Sequence, residues 1–286
     1  MPTEATITLT TRISDESAQP VQPRAVGQIS LSVKSNGTGA TVLETLRQSG
    51  SLRCLFPRKR TGGLEAVVVN TAGGITGGDQ FQIAARVAAD CDLTLTTQAC
   101  ERAYRVQPGQ PGRLNTALQV SRGGHLNWLP QETILFNGSH MRRSLRLNLE
   151  TGASALVVEP LVFGRAAMGE ELTSLRWHDR IEILRDGCPL FLDAVAFDGD
   201  MAAHLDRPNI AAGARAMALL MYVAADAEAH LGPLREMLPN LAGASLIGED
   251  LLVLRLLTDD SFALRRSLIP ILNRLTNDQL PKCWTI

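Results

Sequence analysis

The chain has 286 residues, of which 45% are hydrophobic and 20% are charged, and its formal net charge is −1. This length and composition are typical of a globular protein with a substantial core, built as one large domain or two smaller ones. The balanced charge and the lack of a basic block exclude a typical nucleic-acid-binding protein.

Features that report on the cellular compartment agree with one another. The five cysteines are scattered and never spaced as Cys-x-x-Cys, which favours a reducing compartment over a disulfide framework. The opening segment "MPTEATITLT" has no basic stretch ahead of an apolar one, so no secretory signal is predicted. The longest apolar run, residues 216–225, is about half of what spans a membrane. We therefore expect a cytoplasmic protein with no membrane association.

Two regions of different character follow one another at the start of the chain. Residues 1–23 are rich in Thr, Ser, Gln and Pro and predict a flexible tail, because they bury too little apolar surface to offset the entropy of ordering. In residues 24–198, apolar residues alternate with polar ones, as in "LTLTTQ" and "LRLNLE", between Gly- and Pro-rich turns. This period of two predicts an all-β body. It does not distinguish a sandwich, a barrel and a stacked β-solenoid.

Residues 199–286 predict a small α+β portion packed on this body. "AMALLMYVA" predicts a buried strand, and residues 244–258 predict two more. Helices are predicted over residues 226–238, where Gly232-Pro233 could cause a break, and over residues 259–277, where Pro270 should introduce a kink. The second helix should bury one apolar stripe, formed by Leu264, Leu268, Ile271, Leu272 and Leu275.

The segment "NTAGGITGGDQ", residues 70–80, is the most conspicuous motif. A phosphate-binding loop would lead into a helix, whose N-terminus favours an anion, but the residues that follow alternate as in a strand. The glycine spacing also differs from known nucleotide loops, and Asp79 would repel a phosphate. Two interpretations remain: a tight turn in which Asp79 caps its own backbone, or a carboxylate kept reachable inside the protein.

Together with four other segments, this motif resembles the UreD family of urease accessory proteins from about residue 24 onward. The five segments, in order, are "NTAGGITGGDQ" (70–80), "LTLTTQACERAYRV" (93–106), "LNWLPQETILFNGS" (126–139), "FGRAAMGEEL" (163–172) and "LPKCWTI" (280–286). The resemblance implies a mainly β, β-helical body of stacked strands with two helices near the C-terminus. It also implies a non-enzymatic scaffold for nickel insertion that binds the urease apoprotein, a UreF-type accessory protein and, through the latter, a UreG-type GTPase.

The resemblance further implies that Ni(II) is carried transiently along an internal passage, with no tightly bound cofactor. Asp79 and Glu170 match acidic positions of the family motifs and are the candidates for lining this passage. Carboxylates suit a conduit because they exchange metal faster than a His/Cys cage, and the five histidines here are isolated. Other matches to the family motifs are Gly73, Gly74, Gly77, Gly78, Gln98, Tyr104, Gly164, Arg165 and Gly169. The second segment departs from the commoner pattern, in which many members have a lysine, and Arg102 carries that charge here.

Several alternatives stay open at this point. Glu170 could instead pair with Arg165 as a structural bridge, and Cys100, which stands where alanine is usual, is given no family role. A carbohydrate-active β-solenoid enzyme would use two carboxylates, but it would need aromatic platforms, and aromatic residues are only 4% of the chain. A third alternative is a protein that bridges its partners without contacting nickel. The family motifs do not distinguish such a protein from a nickel conduit, because both would contain all of them.

Overall fold

The computed structural model describes residues 23–58 and 63–285. The protein is mainly β, as predicted, and only residue 23 of the predicted tail falls within the described ranges, so that prediction is not tested. The strands are β1 (Val26–Ser35), β2 (Thr41–Gly50), β3 (Leu52–Leu55), β4 (Leu64–Asn70), β5 (Gln80–Val87), β6 (Asp92–Thr97), β7 (Glu101–Ala103), β8 (Gly112–Val120), β9 (His125–Leu129), β10 (Thr133–Leu135), β11 (His140–Leu149), β12 (Ser154–Phe163), β13 (Leu175–Arg185), β14 (Cys188–Gly199), β15 (Ala216–Val223), β16 (Ala242–Ile247) and β17 (Leu251–Thr258). The helices are α1 (Met201–Leu205), α2 (Ala227–Met237) and α3 (Ser261–Leu275).

Two large sheets contain most of these strands. The first sheet has the order β14-β13-β11-β8-β5-β1-β2, and the second has the order β16-β17-β15-β12-β9-β6-β4-β3. In the middle of both sheets, neighbouring strands pair in parallel. The chain alternates between the two sheets, so that each turn of the chain, which we call a coil, adds one strand to each sheet. This stacking is that of a β-solenoid, one of the three architectures compatible with a period of two.

The coils turn tightly on one side and through wide loops on the other. We call the wide-loop side the loop edge; it comprises residues 71–79, 98–111, 130–139 and 164–174. Short parallel pairings join successive loops there, with β7 beside β10 and β10 beside the end of β12, and Ile75 bridges to Ala103. The motif segments between residues 70 and 172 therefore lie next to one another at the loop edge.

Sequence alternation explains why these strands stack. In β5, Phe81, Ile83, Ala85 and Val87 are buried, while the residues between them are exposed or partly exposed. The parallel register places inward positions in rows, so that each coil extends the apolar core of the previous coil. The first core therefore lies between the two sheets.

A second core lies on the outer side of the second sheet. β12 is buried on both faces because α2 and α3 cover this sheet, whose order continues through β15, β17 and β16. The predicted strands in residues 216–225 and 244–258 are present, and all five leucine and isoleucine residues of the predicted stripe of α3 are buried. Asp260 is the N-cap of α3, and its side chain accepts a hydrogen bond from the Ala263 N–H at 2.7 Å.

The helices differ from expectation in two respects. The five-residue helix α1 was not predicted, and α2 continues through Gly232-Pro233 without a break. Its second half is held by tertiary contacts, because Leu234 is fully buried and the Arg235 Nε donates to the Ala244 carbonyl at 3.0 Å. α3 also continues through Pro270, and the kink expected there stays a prediction. In the described part of the chain, no helix combines the length and the apolar character needed to cross a membrane.

Candidate functional site

Asp79 lies at the end of the glycine-rich loop and is buried, with 4% of its surface exposed. Its Oδ1 accepts the Ala25 N–H at 2.8 Å, and its Oδ2 accepts the Thr76 N–H at 2.8 Å. The carboxylate therefore closes its own turn and fixes the chain that enters β1. This is the geometry of the turn-capping interpretation.

The glycines of this loop allow a close approach of neighbouring chain segments. Gly74 has φ +156°, and a Cβ built on it would lie 2.2 Å from Cε2 of Tyr104. The Tyr104 hydroxyl donates to the Gly73 carbonyl at 3.1 Å, so the tyrosine ring lies directly over the loop. Gly73 and Gly78 also have positive φ, whereas a Cβ on Gly77 would meet the Gln110 carbonyl at 2.9 Å.

We expect Gly74→Ala to lower the free energy of unfolding by about 2–3 kcal/mol, because it adds backbone strain and a clash with Tyr104. Gly73→Ala is the matched control: its φ is +76°, but no atom lies within 4 Å of an added Cβ. It should cost only about 1–2 kcal/mol for the left-handed backbone. Urea unfolding of both variants measures the difference, and equal losses would show that the tyrosine contact is unimportant.

Glu170 forms a tight pair with Arg165. The Arg165 Nε donates to Oε2 at 2.9 Å and the Nη2 donates to Oε1 at 3.0 Å. The hydrogen bond from Arg165 and a weaker one from the Asn137 backbone hold the pKa of the Glu170 carboxyl below its usual value. The geometry matches the structural-bridge alternative.

The ring of Phe136 connects this pair to the glycine loop. The Arg165 guanidinium lies 4.2 Å from the Phe136 ring centroid, and Tyr104 packs edge-on against the same ring at 5.0 Å. Gly164, with φ +83°, starts the turn and donates its N–H to the Leu135 carbonyl; Gly169, with φ +64°, ends the 3-10 turn Ala166–Met168. These motif residues therefore fasten one loop to the next.

A cavity of about 240 Å³ lies between the sheets next to the loop edge. Three predicted motif residues line it, namely Gly73, Gln98 and Arg102. Asp79 and Glu170 are not among its lining residues. The lining is apolar towards the core and polar towards the loops, where it includes Asn70, Cys100, Glu101, Gln131 and Thr133.

Glu101 is the acidic group at the loop side of this cavity. Its Oε2 accepts from the Asn70 Nδ2 at 3.1 Å, and its Oε1 accepts from the Arg102 N–H at 3.0 Å. Burial raises the pKa of the Glu101 carboxyl despite these bonds, and nearby Asp79 raises it slightly further. Nearby, the Gln131 Nε2 has no hydrogen-bond partner among the described residues. The polar end of the cavity therefore offers both a carboxylate and an unused donor.

A second cavity, of about 250 Å³, extends from the first towards β14 and α1. Arg143 and Glu159 line both cavities, so the two volumes adjoin at this pair. The Arg143 Nη1 donates to Glu159, while its Nε donates to the Asp179 Oδ1 at 2.9 Å and its Nη2 to Oδ2.

Two tryptophans complete this buried ion cluster. The Trp128 Nε1 donates to the Glu159 Oε1 at 2.7 Å, and the Arg143 guanidinium lies 5.1 Å from the Trp177 ring centroid. Burial raises the pKa of the Glu159 carboxyl more than Arg143 lowers it. Burial alone would lower the pKa of the Arg143 guanidinium, but Asp179 and Glu159 together raise it. A cation held between two carboxylates thus separates the cavities.

Sequence reasoning missed Arg143, Glu159 and Asp179, although the sequence contains a signal for two of them. In "HMRRSLRLNL", Arg143 occupies the same phase as Met141, Leu145 and Leu147, which are buried. Asp179 likewise shares the inward phase of Trp177 and Ile181. A charge at an inward position of an alternating strand predicts a buried ion pair.

No group of three or more His, Cys, Asp or Glu residues in the described ranges has the geometry to hold a metal ion. The acidic groups instead lie at separate points. Asp79 caps the loop, Glu101 lines the first cavity, and the pair of Glu159 and Asp179 flanks Arg143.

Comparisons with known proteins identify the family to which the chain is similar. A family model described as UreD urease accessory protein matches residues 25–285. A protein named "Urease accessory protein UreD" from Ruegeria pomeroyi is 58% identical over 256 residues, which cover 90% of this chain and 99% of that protein. Proteins of the same name from Roseobacter denitrificans (49% identity; 93% and 96% coverage) and Chelativorans sp. (41%; 95% and 98%) are also similar. The chain therefore belongs to the UreD family of urease accessory proteins.

Proposed function

We propose that this protein is a non-enzymatic scaffold for nickel insertion into urease. In this role it binds the urease apoprotein and a UreF-type accessory protein, and it contacts a UreG-type GTPase through the latter. Membership of the urease accessory family supports a function in urease maturation. Ni(II) is then the cargo, and the protein would hold it only in passing.

The observation that supports a conduit is the pair of cavities between the sheets. They adjoin at Arg143 and Glu159, and together they extend from the loop edge to β14 and α1. Carboxylate oxygens occur along this route at Glu101, Glu159 and Asp179, and Gln98 and Gln131 add amide groups. Such oxygen ligands exchange a divalent ion faster than a cage of imidazole and thiolate.

Asp79 and Glu170 would act at the entrance on the loop edge. Asp79 is close enough to influence the Glu101 carboxyl electrostatically, and Glu170 fixes the loop of residues 164–174 through Arg165. Asp79 would contribute negative charge where a cation would enter, whereas the charge of Glu170 is balanced by Arg165.

The double substitution Asp79→Asn/Glu170→Gln separates a conduit from a pure bridge. We expect it to leave complex assembly intact, as measured by co-purification with urease subunits and the UreF-type protein. It should lower urease activation several-fold in cells at limiting nickel, because it removes the charge of Asp79 and leaves Arg165 without the carboxylate that balances it. Glu101→Gln should act in the same direction, since Glu101 lines the cavity itself.

Glu228→Gln/Glu236→Gln is the matched control, because both residues are exposed on α2 and the charge change is the same. It should leave activation unchanged. If the double variant Asp79→Asn/Glu170→Gln and Glu101→Gln both activate urease normally, the conduit is wrong and the bridging role remains.

A further inference from the structure

The outer face of the first sheet carries an unusual excess of positive charge. The outward positions of β5, β8, β11 and β13 include six arginines and one carboxylate, that of Glu182, although the whole chain has a net charge of −1. We call these outward positions the basic face. Its arginines are Arg86, Arg113, Arg142, Arg146, Arg176 and Arg180.

The strand register places two of these charges next to one another. Arg113 of β8 is directly beside Arg142 of β11. Like charges at neighbouring positions of a sheet oppose folding. This pair of arginines therefore has a cost for the isolated protein that no local contact explains.

The carboxylates near the face neutralise only part of it. Glu182 forms ion pairs with two arginines, Arg146 at 3.2 Å and Arg180 at 3.1 Å. Arg176 lies 3.8 Å from Asp198, which is largely exposed. Arg86, Arg113 and Arg142 have no ion-pair partner among the described residues. Three guanidinium groups thus remain available to an outside partner.

A groove of about 420 Å³ continues this face at the loop edge. Its lining includes Arg105, Arg176 and His140 but no acidic residue, and the Ser139 Oγ, which is buried there, has no hydrogen-bond partner among the described residues. Burial lowers the pKa of His140, and the neighbouring Arg176, Arg142 and His178 lower it further, while Asp198 opposes them. The groove therefore has a positive potential that would attract an anion.

The composition of the face indicates which kind of anion fits. The guanidinium groups match carboxylates in a bidentate way, and the polar residues between them, such as Gln82, Asn115 and Ser144, can form further hydrogen bonds. The outward positions of these four strands contain no Phe, Tyr or Trp on which bases could stack, and no large apolar residue that could enter a lipid bilayer. Four strands about 4.8 Å apart and about 30 Å long present roughly 600 Å², and the groove at the loop edge extends this area towards the roughly 800 Å² that each partner contributes to a standard protein interface.

We propose that the basic face, with its groove, is a docking surface for a carboxylate-rich surface of a partner protein. This inference rests on the proposed scaffold role. It identifies the surface through which the scaffold would contact one of its partners, and the chemistry of that contact. The partner's carboxylates would neutralise Arg113 and Arg142, so that the repulsion present in the free protein favours association.

Charge reversal tests the proposal with the full chain and two probes, the purified urease apoprotein and the UreF-type protein. We expect Arg113→Glu/Arg142→Glu to lower the association rate with one of the probes by about tenfold or more, and to weaken the salt dependence of that rate. Arg266→Glu/Arg274→Glu on α3 carries the same charge change on exposed residues and should leave the rate unchanged. The single variant Arg142→Gln, which adds no negative charge, should give a smaller loss in the same direction.

Each outcome decides a specific point. Unchanged rates and salt dependence for Arg113→Glu/Arg142→Glu, when wild type binds at least one probe, would overturn the basic-face assignment and leave the scaffold role intact. If wild type binds neither probe, the scaffold role itself fails, and the inference fails with it. Binding of a short RNA or of phosphatidylserine vesicles that disappears in the double variant would assign the face to that anion instead of to protein carboxylates.

Discussion

Replacing Arg143 with methionine is expected to lower the free energy of unfolding by about 3–5 kcal/mol, one of the largest effects of any single substitution in this protein. Methionine keeps much of the length of the side chain but removes its charge, so Glu159 and Asp179 lose their shared cation while remaining buried. A buried charge without a partner keeps its full desolvation cost. Urea unfolding measured against wild type gives the difference.

The control for this effect lies on the same strand. Arg146 pairs with Glu182 at 3.2 Å, but 58% of its side chain is exposed, so Arg146→Met should cost at most about 1 kcal/mol. Similar losses for the two methionine variants would show that the buried cluster does not depend on its cation.

The loss of free energy of unfolding caused by Arg143→Met should also depend on pH. Burial already raises the pKa of Glu159 above its ordinary value of 4.5, and loss of Arg143 removes an interaction that lowers it. A carboxyl whose pKa is raised on folding contributes less stability as pH rises from the unfolded value through the folded value. The difference from wild type should therefore shrink as pH falls towards 4.5, and a deficit that grows on acidification would contradict this explanation.

Trp284→Ala is expected to cost about 3–5 kcal/mol, because the indole is 1% exposed and fills the second core. Its Nε1 donates to the Leu129 carbonyl at 3.0 Å, and Arg265 lies over the ring while donating to the Trp284 carbonyl at 2.7 Å. Arg265 also binds Gln131 and Glu132, so one cluster joins α3 to the loop of residues 130–139.

Thermal and urea unfolding measure this loss, and Phe262→Ala is the control. Phe262 is also aromatic and lies in α3, but 73% of its surface is exposed, so its truncation should change the free energy of unfolding by no more than about 0.5 kcal/mol. A small effect of Trp284→Ala would mean that Arg265 alone holds the segment in place.

Local patterns in the sequence predicted much of the fold. The alternation in β5 and the stripe of α3 each depend on one element with one buried face, and both are confirmed. The stacking of coils could not be derived from periodicity, because a period of two is the same in a sandwich and in a solenoid. That part came from the family resemblance, whereas the meeting of the motif loops at the loop edge was not predicted.

The candidate site was harder to predict for a physical reason. Asp79 and Glu170 are prominent in the sequence because they belong to motifs, yet their carboxylates bind backbone N–H groups and Arg165. Glu159 lies within an apolar run, and its partner Arg143 comes from a strand of the other sheet. The alternation of β11 marks Arg143 as inward, but only the stacking of the two sheets places it against Glu159 of the next strand.

The contact between Trp284 and Leu129 spans 155 residues, and it has a consequence for synthesis in the cell. The coils can add to one another as the polypeptide emerges, since each needs only the one before it. The outer side of β9 and β12 must wait for α3 and Trp284, which the ribosome makes much later. Nascent chains therefore display this apolar strip from the synthesis of β12 until Trp284 has been added, and a chaperone acting on them would be expected to recognise it.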